Sequence, residues 1–198
     1  IKTHDQDRNV VLARYFEDEK RVYASLSNQA SDFGQIASLW SKLANPDGTI
    51  NSAYGYLLFR QHSLGNCAFE DNRHGYRTPW QWVVQSLKTD RDTRQAIMPF
   101  LQPTHFWVGN KDFVCTLQGV WQIRENRLNF SVAMRSNDLV TGLAYDMPWF
   151  IHLMDLMLEE LLPVYPDLAK GTYTHSCHSS HIYEKSADKV ERMLGRKS

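Results

Sequence analysis

The chain has 198 residues, a length that fits one folded domain. Hydrophobic residues make up 42% and charged residues 22%, which is ordinary for a globular protein and unlike a disordered tail, a collagen or a coiled coil. Lys plus Arg and Asp plus Glu balance at 22 each, so the chain lacks the basic excess that holds nucleic acid by counterion release, and any bound anion must meet a local cluster.

No apolar run is long enough to span a bilayer, and the opening stretch IKTHDQDRNV is too polar for a signal peptide, so a cytoplasmic protein without a membrane partner is expected. Cys67, Cys115 and Cys177 are odd in number and show no CxxC spacing, which argues against a disulfide framework or a structural zinc site and leaves at least one thiol free. Without repeats or interdomain linkers, residues 1–198 read as a single domain.

In chain order, Val11, Tyr15, Val22 and Leu26 recur at helical intervals and predict a helix over 10–26, with a second over 33–43. Asn45-Pro-Asp-Gly48 marks a turn, 80–88 again has helical periodicity, and 95–100 reads as a short buried strand. From 113 to 134 apolar and polar residues alternate on both sides of the polar turn Arg124-Glu-Asn-Arg127, which predicts an antiparallel hairpin. If Glu125 and Asn126 form a two-residue loop, Cys115 falls opposite Ser136 and Thr116 opposite Arg135; a loop one residue longer moves the pairing by one. Either register makes Cys115 and Arg135 cross-strand neighbours, roughly 4.5 to 8 Å apart at Cβ.

Asp146-Met-Pro148 opens a predicted core helix over 146–162, in which Trp149, Phe150, Leu153, Met154, Met157 and Leu161 share a face. Pro163 and Pro166 end it, a His-rich loop is predicted next, and 185–194 reads as a last short helix.

Cys115 carries the first chemical implication. A free strand cysteine is commonly just a small buried side chain, but a neighbouring guanidinium favours thiolate over thiol and turns it into a nucleophile. Asp146 stands where an N-cap residue would stand, ahead of a helix with an early proline. His175-Ser-Cys-His178-Ser-Ser-His181 offers three imidazoles and a thiol, yet its spacing matches no named zinc pattern, and no metal is expected.

Five strings resemble the thymidylate synthase superfamily, in its order, across most of residues 19 to 183. Met134-Arg-Ser-Asn-Asp138 followed by Leu139-Val-Thr-Gly-Leu-Ala-Tyr-Asp146 is similar to the family's RSxD segment, and Cys115 precedes Arg135 by the twenty residues that separate the family's nucleophile from that arginine. Asp47-Gly-Thr-Ile-Asn-Ser-Ala-Tyr-Gly55 resembles the acidic-Gly turn before a family strand, Asp92-Thr-Arg94 the phosphate segment, and His181-Ile-Tyr183 the sugar motif. Asp112-Phe-Val-Cys-Thr116 and Asp146, in place of Pro-Cys-His and Asn, resemble the phage deoxycytidylate hydroxymethylase branch, as do Trp40 to Ala44 and Gly48 to Gly55. Gln95 stands where a second phosphate arginine is common, and the family's N-terminal D-R-T-G segment is not evident.

The resemblance implies an α/β (α+β) fold with a mixed twisted sheet covered by helices, and a homodimer packed through the sheet face. It implies Cys115 as nucleophile, Glu19 as proton manager, and Asp146 on the base edge. Arg135, Ser136 and Arg94 would bind the phosphate, with Arg94 reaching across the dimer; His181 and Tyr183 would bind the sugar. Trp40 and Asp138 would meet the folate. The implied activity is cytidylate 5-hydroxymethyl transfer from 5,10-methylenetetrahydrofolate to CMP or dCMP, without obligatory nucleic acid. A C5 methylase, a catalytically silent nucleotide- or RNA-binding member of the fold, and a zinc-binding structural module are the alternatives.

Overall fold

The computed structural model describes residues 3–60 and 78–196; Cys67 lies outside them. Helix α1 (Gln6–Ala24) begins ahead of its predicted start because Asp5 caps it, the Oδ1 accepting the Arg8 amide at 2.9 Å. The helix predicted over 33–43 is two short ones, α2 (Ala30–Gly34) and α3 (Leu39–Leu43). A continuous helix would set residues 33 and 40 about 10 Å apart along its axis, whereas the Phe33 and Trp40 rings meet edge to face at 5.4 Å, so the chain folds back between them.

Residues matched to a family strand form helix α4 (Tyr54–Phe59) instead. It packs so closely on α1 that a Cβ on Gly55 would stand 2.1 Å from the Tyr23 carbonyl oxygen. Gly55→Ala must push the two backbones apart, and a loss of about 1–3 kcal/mol or more is expected. A urea midpoint unchanged by this substitution would show that α1 and α4 separate freely.

Helix α5 (Pro79–Thr89) is capped by Thr78, whose Oγ1 accepts the Gln81 amide at 3.1 Å. Strand β1 (Ile97–Pro99) follows, then the hairpin of β2 (Thr116–Arg124) and β3 (Arg127–Met134). Its loop is the two-residue one: Glu125 and Asn126 have φ of 51° and 58°, the left-handed pair that matches strand twist. The predicted register holds from Arg124↔Arg127 to Gln118↔Ala133 and then slips by one at Leu117, so that Thr116 pairs Met134. The Arg135 amide consequently donates to the Cys115 carbonyl at 2.8 Å, and Cys115 faces Arg135 rather than Ser136.

After β4 (Asn137–Asp138), helix α6 (Leu143–Leu161) starts earlier than its proline suggested. The Asp146 amide already donates to the Gly142 carbonyl at 2.9 Å, and Pro148 removes only the bond to the carbonyl four residues back. Gly142, without a capping side chain, holds the N-cap position, which removes that role from Asp146. The predicted His-rich loop is largely strand β5 (Ala169–Cys177), followed by β6 (Ser180–His181), a 3-10 turn and α7 (Ala187–Met193).

The main sheet runs β1-β2-β3-β5, with β5 parallel to β3 and the other pairs antiparallel; β4 and β6 form a small parallel pair. One sheet face is apolar: Trp121 stacks on Phe130 at 3.8 Å, and Phe150 of α6 meets Phe130 edge to face at 6.2 Å. Trp149, Leu153, Met154, Met157 and Leu161 continue that buried face along α6. Gln118, Gln122, Ser131 and Thr174 are exposed on the opposite face. Among the described residues no helix is long and apolar enough to cross a membrane.

Candidate active site

Cys115 immediately precedes β2, half-buried, and three polar links fix its surroundings. Asp112 is 5% exposed and accepts from the Asn51 amide at 2.6 Å, the Ser52 amide at 2.7 Å and the Ser52 hydroxyl at 2.5 Å, tying the loop before the cysteine to the segment that enters α4. Buried Thr116 shares a hydrogen bond of 2.7 Å with the Tyr54 hydroxyl. Arg135 donates from Nε to the Val114 carbonyl at 3.1 Å and from Nη2 to the Phe113 carbonyl at 2.5 Å, with its guanidinium 5.2 Å from the Phe113 ring centroid. Three of its five donors are not used in these two bonds.

The expectation that Arg135 makes Cys115 a ready thiolate is met only in direction. Arg135 pulls the thiol down, but burial is the larger effect, and the Asp146 and Asp112 carboxylates add to it, so the thiol sits above its ordinary value.

A cavity of about 410 Å³ opens between α1, α3 and α6; Cys115 and Arg135 are not among its lining residues, and Tyr54, which lines it, is hydrogen-bonded to Thr116 next to Cys115. Tyr15, Glu19 and Tyr23 line it from one stripe of α1, Trp40 from α3, Tyr54 from α4 and Asp146 from α6. Glu19 is 5% exposed and accepts from the Tyr23 hydroxyl at 3.3 Å; the Trp40 indole donates to the Tyr15 hydroxyl at 3.2 Å. Burial, then the charge of Asp146, pushes the Glu19 carboxyl up to about 8. Burial pushes Asp146 up to about 7, against a donation from Asn137 Nδ2 to Oδ2 at 3.0 Å. Two carboxyls raised in one cavity can hold protons near neutrality.

Leu39, Val11, Ile36 and Ala37 give the same cavity an apolar wall next to the Trp40 ring.

The remaining predicted residues do not line this cavity. Asp138 is buried with its carboxylate taken up locally: Oδ1 accepts the Val140 amide at 2.9 Å and Oδ2 the Thr141 hydroxyl, which shapes the turn into α6. His181 and Tyr183 form an edge-to-face pair at 4.9 Å, Tyr183 51% exposed. Arg94 is exposed and lines a different depression with Trp82, Ser86 and Asp90, away from the Cys115 end of the sheet. Of the His-rich string, His175 is half-buried in β5 while His178 is exposed beyond it, and no cluster of three or more metal-ligating side chains occurs among the described residues.

Sequence reasoning missed Tyr15, Tyr23, Tyr54, Asn137 and His175 as site residues. The recurrence of Tyr15, Glu19 and Tyr23 every four residues was the available signal on α1; Asn137 and His175 meet only through the parallel strand arrangement.

The fold is of the thymidylate synthase type. It superposes on thermostable thymidylate synthase A from Bacillus subtilis with a TM-score of 0.67 at 19% identity, covering 90% of this chain and 60% of that one. The thymidylate synthase family model matches residues 14–198, and the chain belongs to that family. Deoxycytidylate 5-hydroxymethyltransferase of Enterobacteria phage T6 is 29% identical over 178 residues, 86% of this chain and 67% of that protein. The phage T4 protein of the same name is 30% identical over 152 residues, 74% of this chain and 56% of that protein. The chain thus spans between 56% and 67% of the length of these two relatives.

Proposed function

We propose that the chain is a folate-dependent pyrimidine nucleotide C5 one-carbon transferase, and specifically a cytidylate 5-hydroxymethyltransferase acting on CMP or dCMP. The observation that carries this reading is Asp146, a carboxyl at the wall of the cavity, raised toward neutrality by burial. Cytosine presents a 4-amino donor beside an N3 acceptor, and a carboxyl that holds a proton near neutrality offers one acceptor and one donor in return. The similarity to the two phage deoxycytidylate 5-hydroxymethyltransferases supports the same choice of base.

In this reading the Cys115 thiolate bonds to C6 of the pyrimidine, which makes C5 nucleophilic. When bound, 5,10-methylenetetrahydrofolate supplies the one-carbon unit and leaves as tetrahydrofolate, so water completes a hydroxymethyl group without hydride transfer. Glu19 moves protons through water at the C5 side. Arg135 and Ser136 hold the 5′-phosphate, Arg135 through the fork donors left free of Val114 and Phe113. His181 and Tyr183 take the sugar, Trp40 and the apolar wall the pterin, with Asp138 ordering the turn beneath it.

Release of C5 tritium from labelled CMP, dCMP and dUMP, followed together with dihydrofolate formation, tests the reading. Exchange on a cytidylate with no dihydrofolate is expected. Dihydrofolate formed in step with product would make the protein a methylase, and no exchange on any nucleotide would make it a binding member of the fold.

Arg94 is exposed and away from Cys115 in its own chain, which supports a homodimer in which it serves the neighbour's phosphate site. Mixing inactive Arg94→Ala with inactive Cys115→Ala subunits is then expected to restore activity, up to about a quarter of wild type in a statistical mixture, because half the dimers are mixed and each has one intact site. Failure to complement would assign Arg94 elsewhere.

A further inference from the structure

Asn137 is 4% exposed at the start of β4; the two N–H groups of its amide are shared among three neighbours on one side, and its oxygen has no partner on the other. Nδ2 lies 3.0 Å from Asp146 Oδ2, 3.3 Å from His175 Nε2 and 2.8 Å from Met134 Sδ, while Oδ1 is buried with no partner. Turning the amide over would set its oxygen against these acceptors and leave two N–H groups stranded in place of one oxygen. With Nδ2, which can only donate, on this side of the amide, His175 Nε2 is assigned as an acceptor. The ring proton then sits on Nδ1 and points along the 2.7 Å contact to the Tyr173 hydroxyl. Burial keeps this imidazole below its ordinary value and hence neutral.

We propose, resting on the cytidylate reading above, that Asn137, His175 and Tyr173 form a positioning relay that decides which oxygen of Asp146 carries its proton and so sets the preference for cytosine over uracil. A protonated carboxyl is ambidextrous. With the proton on one oxygen it matches cytosine; with the proton on the other it matches the O4 and N3–H edge of uracil. Donation from Asn137 Nδ2 commits Oδ2 as an acceptor and leaves the proton to Oδ1, which removes the second option. His175 prevents the amide from turning over, and Tyr173 holds His175 in the tautomer that can do so. The other ionisable groups facing Asp146 are Tyr15, Glu19 and Tyr23 from α1, Tyr54 from α4 and Cys115 before β2. Asn137 is the group that hydrogen-bonds to the Asp146 carboxyl among the described residues.

His175→Phe removes the acceptor that orients the amide while keeping a ring in place. The ratio of kcat/KM for C5 exchange on cytidylate to that on uridylate is expected to fall by roughly ten-fold or more, mainly through a gain on uridylate. Tyr173→Phe should move the ratio in the same direction by less, and the double variant no further than His175→Phe alone, as links in series require. An equal loss on both bases, with the ratio within about two-fold of wild type, overturns the relay. Imidazole 15N resonances of the wild-type protein give an independent reading. His175 should be neutral with its proton on Nδ1, and its Nε2 resonance should shift in Asp146→Asn. A proton on Nε2, or a resonance blind to that substitution, overturns the relay even in a protein that processes cytidylate. Absence of exchange on both bases by the wild type overturns the cytidylate reading itself, and the relay's role with it.

Discussion

Cys115→Ala is expected to lower turnover by roughly four orders of magnitude or more, the scale of loss when a covalent nucleophile is removed. Nucleotide affinity should change little. The thiol contributes a bond that exists only along the reaction, whereas Arg135 and Ser136 follow the end of β3 and Asp146 lies in α6, so their side chains do not depend on it. Equilibrium binding of the nucleotide and single-turnover product formation together check this, and substantial residual turnover would sink the mechanism. The same site has a directional pH dependence. Because burial outweighs Arg135 and holds the thiol above its ordinary value, the fraction of reactive thiolate increases as pH rises above neutrality. Glu19, raised to about 8, and Asp146, raised to about 7, lose their protons over the same range, so the wild-type rate should pass through a maximum, and Glu19→Gln should reshape the alkaline limb without abolishing it, because Asp146 still ionises.

Much of the hairpin was legible because the chain there obeys a period of two on both strands and puts a polar pair at the turn. The register failed only at its end, where the one-residue slip at Leu117 has no mark in the residue types. Strand β5 was not legible for a definite reason. Its sheltered positions, Gly171, Tyr173, His175 and Cys177, alternate with Thr172, Thr174 and Ser176, so hydropathy barely changes along the run; pairing to β3 determines the strand. Helix α4 had the opposite problem. Tyr-Gly-Tyr-Leu-Leu-Phe reads well as a strand, and it is helical because Tyr54 reaches Thr116 and Gly55 admits the Tyr23 carbonyl, both contacts distant in sequence.

The candidate site divides in the same way. Cys115, Arg135, Glu19 and Asp146 are chemically conspicuous and sit in recognisable strings. The tyrosines around Glu19 and the Asn137–His175 contact come from elements far apart in the chain; burial raises the two carboxyls, and the hydrogen bonds from Tyr23 and Asn137 oppose that rise. Arg135 shows the limit of reading charge from spacing alone. It is the predicted neighbour of Cys115, but the loss of water around the thiol is worth more than its attraction.

Asp146→Asn bears most directly on the choice of base. The new amide keeps the size of the side chain and an acceptor for Asn137 Nδ2, but it presents a fixed N–H donor in place of a proton that can be held or released. Cytidylate activity is expected to fall by roughly 1–3 kcal/mol in transition-state stabilisation, about five- to 150-fold, and C5 exchange on the corresponding uridylate to rise. Stability should move the other way. The folded-state value of Asp146, about 7, lies above the unsheltered 3.8, so the native protein loses stability as pH rises from 3.8 to about 7 and the buried carboxyl must ionise. The amide has nothing to ionise. The variant should therefore melt at or above wild type around pH 8, with the difference closing toward pH 4. The helix start does not depend on this side chain, since Gly142 occupies the N-cap. If cytidylate preference survives while the melting temperature falls at every pH, Asp146 is a structural residue of α6 and the assignment of the base to its carboxyl is wrong.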